Sequence, residues 1–216
     1  MTSPTFFRWG GGAVLVGSLF FAISVAITLF VPGPLGLLGP PVVWDSWLGA
    51  VSGLVWLIGL PALYTVQSRG AGLIGLLGFM AFFLALLLLT IVLSVMSAIV
   101  FANYAPPSPA PAPPPLNFIS YRLGSLLLIT GAILFGIAIL RTRVFASWTA
   151  WALMALSVLS TFLPFLSFAS AIVLGRIATV LFVLLFTWYG YILAFQTRMF
   201  VEVVVEASDG STSPTL

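Results

Sequence analysis

The chain has 216 residues, of which 62% are hydrophobic and 5% are charged, and its mean hydropathy is +1.26. This composition cannot form a water-soluble surface of ordinary polarity, so we predict an integral membrane protein. Its seven basic residues are all arginine and stand singly, which is typical of anchors at a membrane interface and excludes a nucleic-acid-binding patch. The absence of His, Cys and Lys excludes haem or iron–sulfur attachment and a retinal Schiff base, so no cofactor is predicted.

Six apolar stretches are long enough to cross a hydrocarbon core of about 30 Å, which takes roughly 20 helical residues. They lie near residues 9–31, 42–66, 71–102, 119–140, 144–163 and 169–196. Clusters of Pro, Gly, Ser and Arg mark the turns between them. We therefore predict an all-α fold, a bundle of six transmembrane helices that forms a single domain over residues 1–200.

Two segments are predicted to lie outside the membrane. The proline-rich loop at 105–116 cannot form a helix and is expected to be a stiff, extended connector between the third and fourth spans. Residues 201–216 contain Glu202, Glu206 and Asp209 among small polar residues and are expected to form a cytoplasmic tail.

The positions of the arginines predict the orientation, because Lys and Arg in loops favour the cytoplasmic side. If the spans alternate, five of them fall on one side: Arg8, Arg69, Arg141, Arg143 and Arg198. Both termini are therefore predicted to be cytoplasmic, with the proline-rich loop outside. Two aromatic belts agree with this orientation. The outer belt contains Trp44, Trp47, Tyr104 and Tyr121, and the inner belt contains Trp9, Trp148, Trp151, Tyr189 and Tyr191.

Asp45, Arg122 and Arg176 are the charges that lie within long apolar runs, all near the predicted outer boundary. An unpaired charge at a helix centre costs about 2.5–3.5 kcal/mol on insertion scales, so these residues are expected to pair or to face a wet cavity. We predict a polar cluster in which Asp45 pairs with one of the arginines. Such a cluster could serve as a ligand site or be purely structural, and we favour the structural interpretation. In that interpretation the arginines reach lipid headgroups and Asp45 caps its helix.

Asp45, Gly49 and Gly53 are four residues apart and share one face of the second span, so a neighbouring helix is expected to pack closely against the two glycines. Trp56, in the middle of the same span, is expected to be buried. The hydroxyls within the spans can bond to the preceding helical turn and need no catalytic role.

The sequence contains no catalytic constellation, so no enzymatic activity is predicted. We interpret the chain as a structural or accessory subunit of a membrane complex. The alternative is a protein that binds or transports a small molecule, an anion or a lipid through the outer polar cluster. Expected partners are membrane lipids and other subunits or a second copy. The smooth apolar faces are also compatible with bound lipid, apolar pigments or quinones, which the sequence does not specify. A protein partner is expected at the leucine-rich loop 32–41 and at the outer end of the third span, Ile91 to Phe101.

From Tyr121 to Ser160 the chain resembles broad, uncharacterised groups of small bacterial six-span membrane proteins. The resemblance rests on a span that ends in Phe135-Gly136-Ile137-Ala138-Ile139-Leu140-Arg141 and is followed by a short turn and a Trp-rich span. It implies a multi-pass protein of the bacterial inner membrane, and it implies no activity and no functional residues.

Overall fold

The structure is a computed structural model that describes residues 4–30, 41–102, 115–163 and 169–196. All regular secondary structure in these ranges is helical. In chain order the helices are α1 (Pro4–Phe30), α2 (Pro41–Leu86), a π-helical segment (Leu87–Val92), α3 (Leu93–Ala102), α4 (Pro115–Thr142), α5 (Ser147–Phe162) and α6 (Ala169–Phe195). The predicted loops at 32–41 and 105–116 and the predicted tail lie mostly or wholly outside the described residues.

Helix α2 is a hairpin that reverses direction at Gly72. This residue has φ 57° and ψ −155°, a conformation that is strained for residues with a side chain. The first arm, residues 41–71, therefore runs antiparallel to the second arm, residues 73–86, which continues through the π-helical segment into α3. Tyr64 stacks on Phe79 across the hairpin, with ring centroids 4.7 Å apart. The sequence placed this turn at 67–70, a few residues too early.

The six helical segments form a closed ring in which each neighbour runs antiparallel to the next. The order is α1, first arm, second arm with α3, α4, α5, α6, and α6 returns to α1. The contacts that define these pairs are Gly10 with Ala62, Gly53 with Thr90, Gly131 with Phe82, Gly136 with Met154, Thr149 with Tyr189, and Gly190 with Leu15. Such up-and-down packing is the expected result when short connections join apolar helices.

The alternation gives the bundle two ends. At one end, here called the Gly72 end, α1 begins, the hairpin turns, α4 passes into α5, and α6 finishes. Arg8, Arg141 and Arg143 lie there, and all three are exposed. At the other, here called the Asp45 end, α1 finishes, α2 begins, α3 finishes, and α4 begins. The predicted segregation of arginines is therefore matched by the described part of the fold.

Aromatic rings fill the centre of the ring of helices. Phe186 contacts Trp56 at 5.0 Å, Phe82 at 5.7 Å and Phe182 at 4.9 Å between ring centroids. Trp56 is 1% exposed, which confirms its predicted burial. Each contact of this kind stabilises the fold by about 0.5–1.5 kcal/mol, in addition to the stabilisation from burying the apolar area of the rings. The aromatic cluster fills the interior of the bundle at mid-depth.

Five of the described helical segments are long and apolar enough to cross a membrane: Thr5–Ile27, Asp45–Ser68, Gly70–Ile99, Phe118–Thr142 and Val173–Phe195. The segment predicted at 144–163 is shorter as a helix, Ser147–Phe162, with 16 residues. The described chain is thus that of a multi-pass, all-helical membrane protein, with five helices of spanning length rather than the six that were predicted.

One member of the predicted inner aromatic belt lies in the core instead. Tyr189 is 1% exposed, and its hydroxyl donates a hydrogen bond to the backbone oxygen of Thr149 at 3.1 Å. Its neighbour Trp188 is 43% exposed and contacts Trp148. Adjacent residues on a helix point about 100° apart, so a belt position assigned from sequence can belong to the neighbouring residue.

Candidate ligand-binding cavity

A cavity of about 650 Å³ lies inside the Asp45 end of the bundle and is open to the exterior on part of its surface. Every helical segment of the ring contributes to its wall. The hydroxyl-bearing residues that line it are Ser24, Ser46, Thr90, Ser94, Ser97, Tyr121, Ser125, Ser160, Thr161 and Thr179. Hydroxyls that were expected only to bond to their own helices thus meet around one space.

Asp45 lies in this wall, half-buried near the start of α2. The Ser24 hydroxyl, from the last third of α1, donates a hydrogen bond to the Asp45 carboxylate. Because α1 and the first arm are antiparallel, residues 21 apart in sequence are brought together at this end. Asp45 is the one acidic residue in the described ranges.

The structure does not bring the two predicted arginine partners to Asp45. Arg122 and Arg176 are exposed, and neither lines the cavity. The Arg122 guanidinium lies over the Phe118 ring, 4.4 Å from its centroid, one helical turn away on α4. Among the described residues no ion pair joins Asp45 to either arginine. The three charges lie near the same end of the bundle, as their shared depth predicted, but they are not a contact cluster.

The floor of the cavity is formed by aromatic side chains, which are held by ring stacking and a hydrogen bond. Trp56, Phe21 and Phe182 lie there, and Trp56 stacks on Phe21 with ring centroids 5.2 Å apart. The Trp56 indole N–H donates to the Ser18 hydroxyl at 3.1 Å, so its polar atom is satisfied away from bulk water. The lining therefore has two parts, with hydroxyls and one carboxylate above an aromatic floor.

The π-helical segment shapes the wall next to the arm that carries Asp45. Thr90 within it is buried, and its hydroxyl donates to the Leu86 carbonyl at 2.5 Å. A Cβ atom at Gly53 would overlap the Thr90 side chain, and one at Gly49 would lie 2.9 Å from the Ser94 Oγ. Gly49 and Gly53 thus allow the two arms of the hairpin to approach closely. π-helical turns are rare and are frequent at functional sites.

The serines of the cavity wall share a similar depth in the sequence, but this is not visible when each helix is considered alone. Ser24, Ser46, Ser94 and Ser97 all lie near the helix ends predicted to be on the outer side, and only the packing of different helices shows that they meet. Several other hydroxyls do bond to the preceding turn as expected, including Ser157 to Leu153 at 2.7 Å and Thr179 to Gly175 at 3.0 Å. Thr179 does so while lining the cavity, so a satisfied hydroxyl can still offer an acceptor to a ligand.

The wall is suited to binding by hydrogen bonds, charge and apolar contact. Among the described residues there is no group of three or more His, Cys, Asp or Glu side chains placed to hold a metal ion. Compared with protein-family models, with curated proteins and with solved structures, the chain shows no match. The chemistry of the cavity must therefore be inferred from its own residues.

Proposed function

We propose that this protein binds a small molecule in the cavity at its Asp45 end, as a non-enzymatic binding or transport protein of the membrane. The observation that supports this most directly is the polar wall to which every helical segment contributes. A volume of about 650 Å³ falls in the range of about 300–1,000 Å³ that is usual for small-molecule sites. No catalytic constellation accompanies it in the sequence, so we assign binding and not chemistry.

The position of the polar groups inside the bundle supports a binding function. A helix bundle in lipid packs most simply with small and apolar residues in its interior, and polar side chains within the membrane typically line ligand or ion pathways. Here aromatic rings fill the interior at mid-depth, whereas the Asp45 end contains a cavity with many hydroxyls in its wall. A purely structural bundle would gain stability by filling that volume with apolar side chains.

The proposed topology has six spans and two cytoplasmic termini, so that the cavity opens to the outside. Arg8, Arg141 and Arg143 at the Gly72 end support this orientation. Helix α5 would be about 24 Å long at about 1.5 Å per residue, somewhat less than the hydrocarbon thickness, and packs antiparallel between α4 and α6. A location in the bacterial inner membrane, which the sequence resemblance of residues 121–160 implied, is also part of this proposal.

A second candidate, an accessory subunit of a membrane complex, is supported by the third span, Gly70–Ile99. Only 28% of the residues in its apolar 18-residue window are buried, the smallest share among the five segments of spanning length. Its exposed apolar residues are Leu73, Leu76, Leu77, Met80 and Leu84 on the second arm, and Ile99 near the outer end. At the outer end, where a partner was expected, Ile91 to Ser97 are half-buried by the bundle itself. Among the described residues of this span, the apolar surface open to a partner therefore lies mainly on the second arm, in the half nearer the Gly72 end.

Identification of small molecules that co-purify with the protein from its native membrane tests the proposed function. We expect a molecule that is enriched with the wild type and lost from Ser97→Trp, because an indole at this lining position would occupy the cavity. Leu84→Trp is the matched control, since Leu84 is 44% exposed on the outside of the same span. A bound molecule that Ser97→Trp retains, with both variants folded, would contradict binding in the cavity.

A further inference from the structure

We infer that the cavity selects ligands by positive charge: its ligand is an organic cation, with an ammonium-type group bound at Asp45 and an apolar or aromatic body above Trp56. This inference rests on the proposed function and adds the chemical class of the ligand. It is narrower than the alternative drawn from the sequence, in which the outer polar cluster would bind a small molecule, an anion or a lipid.

The charge of the wall decides the sign. Asp45 is the one formally charged residue that lines the cavity, and its described partner is the neutral hydroxyl of Ser24. A carboxylate removed from water without a cation is costly, whereas a cation in contact with it gains a strong interaction at the reduced dielectric of the site. An anion placed in the same wall would face a like charge.

The arginines lie outside this wall. An anion site would require Arg122 or Arg176 to contribute to the lining, and both are exposed to the surroundings of the bundle. Arg122 is in addition held over the Phe118 ring at 4.4 Å. Their placement fits contact with lipid headgroups at the membrane surface.

The shape of the cavity indicates an organic cation and not a bare metal ion. Inorganic cations such as Ca²⁺ need 6–8 oxygen ligands in a compact shell, whereas this space is large and has one carboxylate. Trp56 is 11 residues beyond Asp45 on the same helix, or roughly 16 Å deeper at 1.5 Å per residue. Its ring, with those of Phe21 and Phe182, offers apolar contact to the body of a ligand whose ammonium group lies at Asp45.

The test uses three water-soluble probes that share one ring and differ in charge: benzyltrimethylammonium, benzyl alcohol and benzoate. Binding to the full-length protein in nanodiscs is measured by calorimetry. We expect benzyltrimethylammonium to bind at least tenfold more tightly than the other two, because its positive charge is attracted to the Asp45 carboxylate at the reduced dielectric of the site. Asp45→Asn should remove this preference, and Arg122→Gln, which alters a charge outside the cavity, should leave it unchanged.

The comparison of probes on the wild type needs no variant, so a failure of Asp45→Asn to fold does not prevent the test. Failure of benzyltrimethylammonium to bind, or tighter binding of benzoate, would overturn the cation inference. If benzyl alcohol or benzoate binds instead and Ser97→Trp abolishes that binding, small-molecule binding in the cavity stands and only the charge assignment fails. Binding of benzyltrimethylammonium that is equal in wild type and Asp45→Asn would overturn the role of Asp45.

Discussion

Gly53 occupies the point where the first arm of the hairpin passes Thr90, and the distance between the two backbones there leaves no room for a methyl group. The expectation that Gly49 and Gly53 mediate close helix packing concerned a partner of unknown identity. The partner is the π-helical segment and α3 of the same hairpin. This contact sets the separation of the arms at the cavity wall, so a single carbon atom at Gly53 should affect both stability and the site.

Gly53→Ala is expected to destabilise the protein by about 1–3 kcal/mol, the usual cost of an overpacked interior. Gly12→Ala is the matched control, because a Cβ at Gly12 would meet nothing within 4 Å. Thermal unfolding in one detergent measures both. Equal stability of the two variants would show that Gly53 is not packed against Thr90.

Gln67 is a buried amide at the Gly72 end. It is 1% exposed, and neither its amide nitrogen nor its oxygen has a hydrogen-bond partner among the described residues. A buried polar group without a partner costs about 1–3 kcal/mol. Gln67→Met, which keeps the approximate volume, is therefore expected to raise the unfolding temperature. Gln196→Met, at a half-buried residue that directly follows α6, should change it little. A lower unfolding temperature for Gln67→Met would indicate that the amide is satisfied in the membrane-embedded protein.

Among the helices, the π-helical segment Leu87–Val92 departs most from regular geometry. A π-helical turn accommodates one extra residue, so the helices before and after it keep the faces that they would have without it. Deletion of Leu87 is therefore expected to leave a folded protein with an altered cavity wall. Deletion of Leu77, in the regular part of the second arm, should rotate one side of the helix by about 100° and prevent folding. Size-exclusion profiles of the two deletions provide the comparison, and equal loss of both would contradict a tolerant π turn.

The helices that the sequence could predict are those whose signal lies within one apolar run. Length and hydropathy place α1, both arms, α4 and α6 correctly, because lipid requires about 20 apolar residues in a row. The turn at Gly72 was assigned too early, because the preceding Gln-Ser-Arg-Gly is polar enough to suggest a loop and yet remains helical. Tyr189 was assigned to the surface because a sequence shows the depth of a residue in the membrane and not which way its side chain points.

The site was predictable only in part, since it depends on contacts between helices. The depth of Asp45 and the packing role of Gly49 and Gly53 can be derived from spacing along one helix. The bond from Ser24 to Asp45 and the separation of Asp45 from Arg122 depend on the order of helices around the ring, which a single sequence does not specify. Equal depth is therefore a necessary condition for pairing and not a sufficient one.

In the molecule as a whole, the two ends of the antiparallel ring face opposite sides of the membrane. The side on which one end lies therefore determines the side of the other. Ser68 and Thr142 lie at the Gly72 end, and Ser108 lies in the loop after α3, outside the described residues. In the thiol-free background, cysteines at 68 and 142 are expected to react with an impermeant reagent only from the cytoplasm, and cysteine at 108 only from outside. Labelling of Ser108→Cys from the cytoplasm alone would reverse the proposed topology.

The cavity itself gives the most direct test of the account, because a polar space open at the Asp45 end must admit water. Ser97→Cys lines the cavity, and Leu84→Cys faces outward from the same span, where we expect lipid. We predict that a small, charged thiol reagent added outside modifies Ser97→Cys quickly, leaves Leu84→Cys unmodified, and reacts more slowly with Ser97→Cys when benzyltrimethylammonium is present. If Ser97→Cys is as unreactive as Leu84→Cys in the folded protein, the Asp45 end is closed to water and the binding function is contradicted.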